Sequence, residues 1–158
     1  DNLYAESMLY QIGGKNNATA TAKNAQAVER QVLSKAGVSS DSYKLADGSG
    51  LSLYNYITPE AEVLMLKYAY NNKKIFGELC QSLPSAGVDG TLRKRMKNAP
   101  VLDNVRAKTG TVTGISSLAG YATSPDGHML AFCIINQGVM SNSKAHAFQD
   151  QVCRAICE

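Results

Sequence analysis

Two extended segments joined by a clear turn constrain this chain more than anything else in it. Residues 116–123 and 128–136 both read as strand. Between them stands Ser124-Pro125-Asp126-Gly127, with proline at the second turn position and glycine at the fourth. Proline pre-sets its own φ and glycine closes the reversal, so residues 117–135 are expected to form an antiparallel hairpin. The run Met129-Leu130-Ala131-Phe132-Cys133-Ile134-Ile135 has no polar alternation. It is expected to be a central strand covered on both faces. A third extended segment, residues 101–112, precedes the hairpin.

Everything ahead of Pro100 has a helical period instead. Residues 1–14 read as a helix capped by Asp1, with Tyr4, Met8 and Ile12 recurring at i+4 and Gly13-Gly14 as its stop. Residues 15–20 read as a polar loop. A second helix is expected over residues 21–36, with Ala25, Val28, Val32 and Leu33 as its apolar stripe. Thr58-Pro59-Glu60 is a helix start, combining a cap, a proline at the first position and an acid in the first turn. That helix runs to Asn71 with Ala61, Leu64, Met65 and Tyr68 on one face. A short helix over residues 75–83 stops at Pro84, residues 87–90 form a turn, and Thr91 caps a short basic helix over residues 92–97. A last helix begins near Ser141 or Ser143, and its stripe of Ala145, Phe148, Val152 and Ile156 needs the sheet to cover. The expected class is α+β: helices followed by an antiparallel sheet and a C-terminal covering helix. Three strands are thin for a domain of this size, so more are expected from sequence that precedes Asp1.

Composition excludes several function classes. With 44% hydrophobic and 18% charged residues, the 158-residue chain is that of an ordinary globular protein. A net charge of +3 and a single basic cluster, Arg93-Lys94-Arg95 with Lys97, give no nucleic-acid surface and read as a solvated helix face. No apolar run is long enough to span a membrane. The four cysteines form no C-x-x-C pair and the two histidines stand at no ligand spacing, so no metal and no cofactor are expected. Buried or partly buried thiols are the default, although a bridge from Cys80 to another cysteine stays open.

The chemistry-bearing stretch is Val105-Arg106-Ala107-Lys108-Thr109-Gly110-Thr111-Val112. Strand alternation puts Thr109 and Thr111 on one face and Lys108 and Gly110 on the other. Arg106 shares the Lys108 face and reads as a surface residue. Ser49, in Asp47-Gly48-Ser49-Gly50-Leu51-Ser52, lacks the spacing of a nucleophile elbow and reads as a turn hydroxyl. Asp47 and Asp89 read as turn-fixing carboxylates.

Several motifs, in order, resemble the class C low-molecular-mass penicillin-binding proteins, the D-alanyl-D-alanine carboxypeptidase/endopeptidase family. They are Asp1-Asn2-Leu3-Tyr4-Ala5-Glu6, Asp47 to Ser52, Leu83-Pro84 with Gly87-Val88-Asp89-Gly90-Thr91-Leu92, Ala107-Lys108-Thr109-Gly110-Thr111, and Leu118-Ala119-Gly120-Tyr121. The resemblance spans nearly the whole chain. It implies part of a serine β-lactamase/penicillin-binding transpeptidase fold, with residues 1–158 the C-terminal portion of one such domain. The family uses Ser-x-x-Lys, Ser-x-Asn and Lys-Thr-Gly. Only the last is complete here, and Asp1-Asn2 would be the end of Ser-Asp-Asn. Ser141-Asn142-Ser143-Lys144 spells the first motif, but it follows Lys108 where the family places its nucleophile far upstream, so it reads as a helix cap and a surface lysine.

The resemblance implies a role for each matching residue. Lys108 supplies positive charge near the substrate carboxylate. Thr109 and Thr111 turn their face to the cleft and bind that carboxylate, and the Thr111 N–H is an oxyanion donor. Gly110 lets the strand pass close to underlying helices. Asn2 orients the substrate amide. The implied partners are peptidoglycan stem peptides, β-lactam antibiotics and a missing N-terminal part of the same polypeptide. The implied location is the periplasm or cell envelope. Carboxypeptidase action through an acyl-enzyme is expected of the whole protein, with endopeptidase action left open, and inactivity of this chain alone. Two alternatives remain: a β-lactamase-like hydrolase of the same fold, and a non-catalytic muropeptide-binding module.

Overall fold

A computed structural model describes residues 1–15 and 19–158. Residues 16–18 of the polar loop expected over residues 15–20 lie outside the described residues. The chain forms two compact units, Asp1–Met65 and Leu66–Glu158.

The first unit holds α1 (Asn2–Gly13), α2 (Ala22–Lys35), the two-residue strands β1 (Tyr43–Lys44) and β2 (Tyr56–Ile57), and the first turns of α3 (Pro59–Asn71). Each helix start is capped as its sequence suggests. The N–H groups of Tyr4, Asn24 and Ala61 donate to the side-chain oxygens of Asp1, Thr21 and Thr58 at 3.1, 3.2 and 3.1 Å. Leu33, Val38 and Ala61 form a small core with Leu64 and Met65 against it.

The stripe expected on α1 is not the buried one. Tyr4 and Met8 are 69% and 52% exposed, and Ile12 is exposed too, whereas Leu9 and Gly13 are buried. Backbone proximity decides this. A Cβ at Gly13 would lie 2.7 Å from Thr21 O and 2.9 Å from Ala25 N, so α1 meets α2 through its smallest residue. Leu9 packs where a Cβ on Gly48 would come within 2.8 Å of its own Cβ.

The second unit holds α4 (Lys73–Ser82), β3 (Arg106–Val112), β4 (Ile115–Thr123), β5 (Met129–Gln137) and α5 (Asn142–Cys157). The strands run antiparallel in the order β3-β4-β5. The hairpin turn forms as expected, with Gly127 N–H donating to Ser124 O at 2.9 Å and Ser124 N–H to His128 O at 2.9 Å.

The centre of the sheet is β4, not the apolar run of β5. Ser116, Leu118 and Ala122 are buried on one face of β4 and Tyr121 on the other. Tyr121 meets Phe76 edge-on at 5.3 Å and donates its hydroxyl to Leu66 O at 2.8 Å. Small residues suit this position because the neighbouring strand passes very close. A Cβ at Gly120 would run into Arg106 O and lie 2.6 Å from Ala107 Cα. β5 sits at the edge of the sheet, with Met129 and Leu130 each 39% exposed.

Two further expectations change. Residues 101–105 form turns rather than the start of a strand. Asp103 adopts φ +54° and donates its N–H to Ala86 O at 2.9 Å, and the buried Val101 and Val105 enter the core from those turns. The basic helix over residues 92–97 is absent: a 3-10 turn at Gly90–Leu92 leads into irregular chain. Its Arg95 is no solvated charge. The side chain is 11% exposed and meets Asp150 of α5 at 2.6 Å.

On α5 the buried positions are Ala145, Gln149, Cys153 and Cys157, while Phe148 is 51% exposed. Gln149 displaces Phe148 from the interface because the sheet offers polar partners there. Its Nε2 donates to Ser116 Oγ at 3.1 Å and to Asn136 Oδ1 at 3.0 Å, and its Oε1 accepts from Arg95 at 3.0 Å. Burial pushes the Cys153 thiol up to about 12, which keeps it protonated and unreactive. No described helix is long and apolar enough to cross a membrane.

Candidate active site

The geometry of β3 follows from how it enters the sheet. Just before the strand, Ala86 N–H donates to Val105 O at 2.9 Å and Ala107 N–H to Pro84 O at 3.0 Å, making a one-residue bridge between Ser85 and Arg106. The main-chain groups of Ala107 therefore point away from β4. Strand alternation directs those of Thr109 and Thr111 the same way. Beyond that bridge no strand lies on this side of β3 among the described residues. Lys108 to Val112 is thus an open edge whose outward amides belong to Thr109 and Thr111.

Side chains alternate as the sequence implies. Lys108 pairs with Ala119 across the ladder, Thr109 with Leu118, Gly110 with Ser117 and Thr111 with Ser116. Lys108 is exposed and its Nζ donates to Thr109 O at 2.6 Å. Thr111 is exposed, Thr109 half-buried. The threonine face continues that of Ala107 and Leu118, both fully buried in the core. At Gly110 the reason for glycine differs from the expected one. A Cβ there would collide with Ser117 Oγ on β4, so the crowding comes from the next strand rather than from a helix.

A cavity of about 450 Å³ opens at the end of this edge, lined by Thr111 to Gly114, Val139, Met140 and Asn142. Thr91 stands beside Thr109, its Oγ1 accepting from Thr109 Oγ1 at 3.0 Å. Nothing in the residue spacing marks Thr91, because the contact depends on how the loop is folded. Asn2, the other expected site residue, is exposed in the first turn of α1 in the first unit, whereas Lys108 to Thr111 belong to the second.

The residues judged structural behave so. Asp47 accepts from Gly50 N–H and Ser52 N–H at 2.8 Å each, and from Ser49 Oγ at 3.1 Å and Asn55 Nδ2 at 2.7 Å. Burial pushes its carboxyl up, but these hydrogen bonds outweigh it and hold the group below its ordinary value. Ser49 is the turn hydroxyl it was expected to be, accepting from Leu51 N–H. Glu6 was not singled out, yet it binds the same loop by accepting from Gly48 N–H at 2.8 Å and Ser49 N–H at 3.1 Å. Ser141 occupies the N-cap position of α5, but its hydroxyl pairs with that of Ser143 rather than capping the helix. No group of three His, Cys, Asp or Glu side chains suited to a metal occurs among the described residues.

Comparison with known proteins bears on this geometry. The chain is 40% identical over 106 residues to the D-alanyl-D-alanine carboxypeptidase DacB of Haemophilus influenzae, covering 65% of this chain and 22% of that protein. It is 35% identical over its whole length to a D-alanyl-D-alanine carboxypeptidase of an Actinomadura species, covering 30% of that protein. Thus it spans less than a third of either relative. Among solved structures, penicillin binding protein 4 (dacB) from Haemophilus influenzae, complexed with a β-lactam, superposes with a TM-score of 0.83 at 31% identity, over 98% of this chain and 37% of that one. A β-lactamase from Sphaerobacter thermophilus shares the fold, with a TM-score of 0.59 at 19% identity over 86% of this chain and 54% of that one. The expected arrangement of helices, antiparallel sheet and C-terminal helix on a penicillin-binding fold therefore holds. With residues 1–156 matching its pattern, the chain belongs to the D-Ala-D-Ala carboxypeptidase 3 (S13) family.

Proposed function

We propose that this chain is the substrate-holding portion of a serine D-alanyl-D-alanine carboxypeptidase, and that residues 1–158 form the C-terminal part of its penicillin-binding domain. The observation that carries the reading is the open edge of β3, which presents Lys108-Thr109-Gly110-Thr111 with the Thr111 amide directed outward.

An extended peptide ending in D-Ala-D-Ala can add to that edge as a further strand. Its terminal carboxylate then meets the hydroxyls of Thr109 and Thr111 and the charge of Lys108. Attack by a serine hydroxyl on the penultimate carbonyl forms a tetrahedral oxyanion, and in this reading the Thr111 N–H donates to it. Collapse expels the terminal D-alanine, whose nitrogen takes up the proton given up by the serine, and leaves an acyl-serine, which water hydrolyses. Asn2, in this reading, orients the substrate amide. A β-lactam with its own carboxylate follows the same path and stops at the acyl-enzyme.

The nucleophile is assigned to sequence outside these 158 residues, which contain no Ser-x-x-Lys ahead of Lys108. The exposed apolar residues of β5, Met129 and Leu130, fit a sheet that continues in a longer polypeptide. Peptidoglycan peptides in the periplasm or cell envelope are the proposed substrates. The test is covalent labelling by a fluorescent penicillin. The complete polypeptide should label and this chain alone should not. Labelling of the isolated chain would place the nucleophile within it and overturn the assignment.

A further inference from the structure

We propose that Thr91 is an additional substrate-contacting residue of this site, its hydroxyl joining that of Thr109 to receive the substrate's terminal carboxylate. The inference rests on the function proposed above. Thr109 Oγ1 donates to Thr91 Oγ1 at 3.0 Å, and Thr91 is exposed beside the open edge of β3.

The loop that carries Thr91 is tied to β3 at several points. Ala107 N–H donates to Pro84 O at 3.0 Å, and Ala86 N–H to Val105 O at 2.9 Å. Gly87 N–H donates to Leu92 O at 3.0 Å, and Ser85 N–H to Asp89 Oδ1 at 2.8 Å. Ser85 Oγ in turn donates to Asp103 Oδ1 at 2.7 Å. On one side of Thr91, Leu92 is fully buried in the core. On the other, Gly90 has φ +49°, and a Cβ there would lie 2.9 Å from Pro84 Cγ. The hydroxyl is therefore held by main-chain and core contacts rather than presented on a free loop, which is what a binding group needs.

Proton counting then assigns the role. A threonine hydroxyl has one proton to give, and an ionised carboxylate only accepts. With Thr109 directing its proton to Thr91, the proton of the pair that a ligand meets without any rotation is that of Thr91. A hydroxyl that accepts one hydrogen bond while donating another is the stronger donor. Lys108 Nζ, on Thr109 O at 2.6 Å, puts a positive charge one residue from the pair. Together these groups form an anion-receiving corner at the strand edge, with Thr91 as its outer donor.

The test uses the complete polypeptide, with benzylpenicillin and its methyl ester as probes that differ only in the carboxylate. Second-order acylation rates are measured for the wild type, Thr91→Val and Thr91→Ser. Loss of one hydrogen bond to a charged group should make Thr91→Val about tenfold slower with penicillin, with the ester changed by less than about twofold and Thr91→Ser close to wild type. An unchanged ratio of penicillin to ester in Thr91→Val, or an equal slowing of both, would overturn the role of Thr91 while leaving the carboxypeptidase reading standing. A wild-type protein that neither compound acylates would remove that reading and this inference with it.

Discussion

Replacing Gln149 by leucine tests the account of how α5 holds the sheet. Gln149 is fully buried and bonded to Ser116, Asn136 and Arg95. Leucine keeps the side chain's approximate volume and removes all three bonds. Ser116 is itself fully buried, so its hydroxyl loses the partner it has without gaining access to water. Such an orphaned group costs about 1–3 kcal/mol, and the lost bond to the half-buried Asn136 about 1 kcal/mol more. Arg95 keeps Asp150 at 2.6 Å, so its share is small. The sum is about 3 kcal/mol, a large part of the roughly 5–15 kcal/mol that stabilises a typical domain. Phe148→Ala on the same helix removes more apolar surface, but from a side chain 51% exposed, and should cost roughly 1 kcal/mol or less. Urea unfolding followed by far-UV circular dichroism reads both variants, and a 3 kcal/mol loss moves the midpoint down by about 1–2 M. A Gln149→Leu variant as stable as the wild type, or less damaged than Phe148→Ala, would mean that these hydrogen bonds do not hold α5 to the sheet.

Other perturbations probe the strand pairing and the loop. Gly120→Ala forces a Cβ against Arg106 O and Ala107 Cα, backbone atoms that no rotamer change can move. The expected cost reaches or exceeds the ~3 kcal/mol upper end of ordinary overpacking, with penicillin labelling of the complete polypeptide lost as β3 is displaced; normal labelling would contradict the register. Asp47 is held below its ordinary value of 3.8, so the unfolded chain takes up this proton before the folded one. Its stabilisation is complete above that value and is lost as pH falls through the lower folded value. The stability gap between wild type and Asp47→Asn should therefore be widest near neutrality and close in acid, and a gap independent of pH would exclude this role.

The parts of the fold that were legible in the sequence are those fixed by local chemistry. Thr58-Pro59-Glu60 announces α3, Ser124 to Gly127 announces the hairpin, and the alternation around Lys108-Thr109-Gly110 announces a strand, because cap, turn and alternation depend on few neighbours. The errors arose where the tertiary partner decides. Tyr4, Met8 and Ile12 have helical spacing, but α2 meets α1 through Gly13. The apolar run of β5 looks central, but β4 is the strand paired on both edges, and its Gly120 lets β3 approach closely. Phe148 looks like core, but Ser116 and Asn136 require a polar partner and take Gln149. The contacts of Thr91 and Glu6 were not legible for a related reason. Each meets its partner across a loop, and no residue period records loop geometry.

Lys108 is the sharpest probe of whether the edge strand β3 holds the substrate during acylation. Lys108 is exposed, and among the described residues its side chain bonds the neighbouring carbonyl alone, so Lys108→Ala should leave thermal unfolding unchanged within about 0.5 kcal/mol. The decisive measurement is the acylation rate of the complete polypeptide by benzylpenicillin, wild type against Lys108→Ala. The folded variant should be acylated at least about a hundredfold more slowly, as befits loss of a charged group acting in the transition state. Acylation at the wild-type rate would take Lys108, and with it this strand edge, out of the active site.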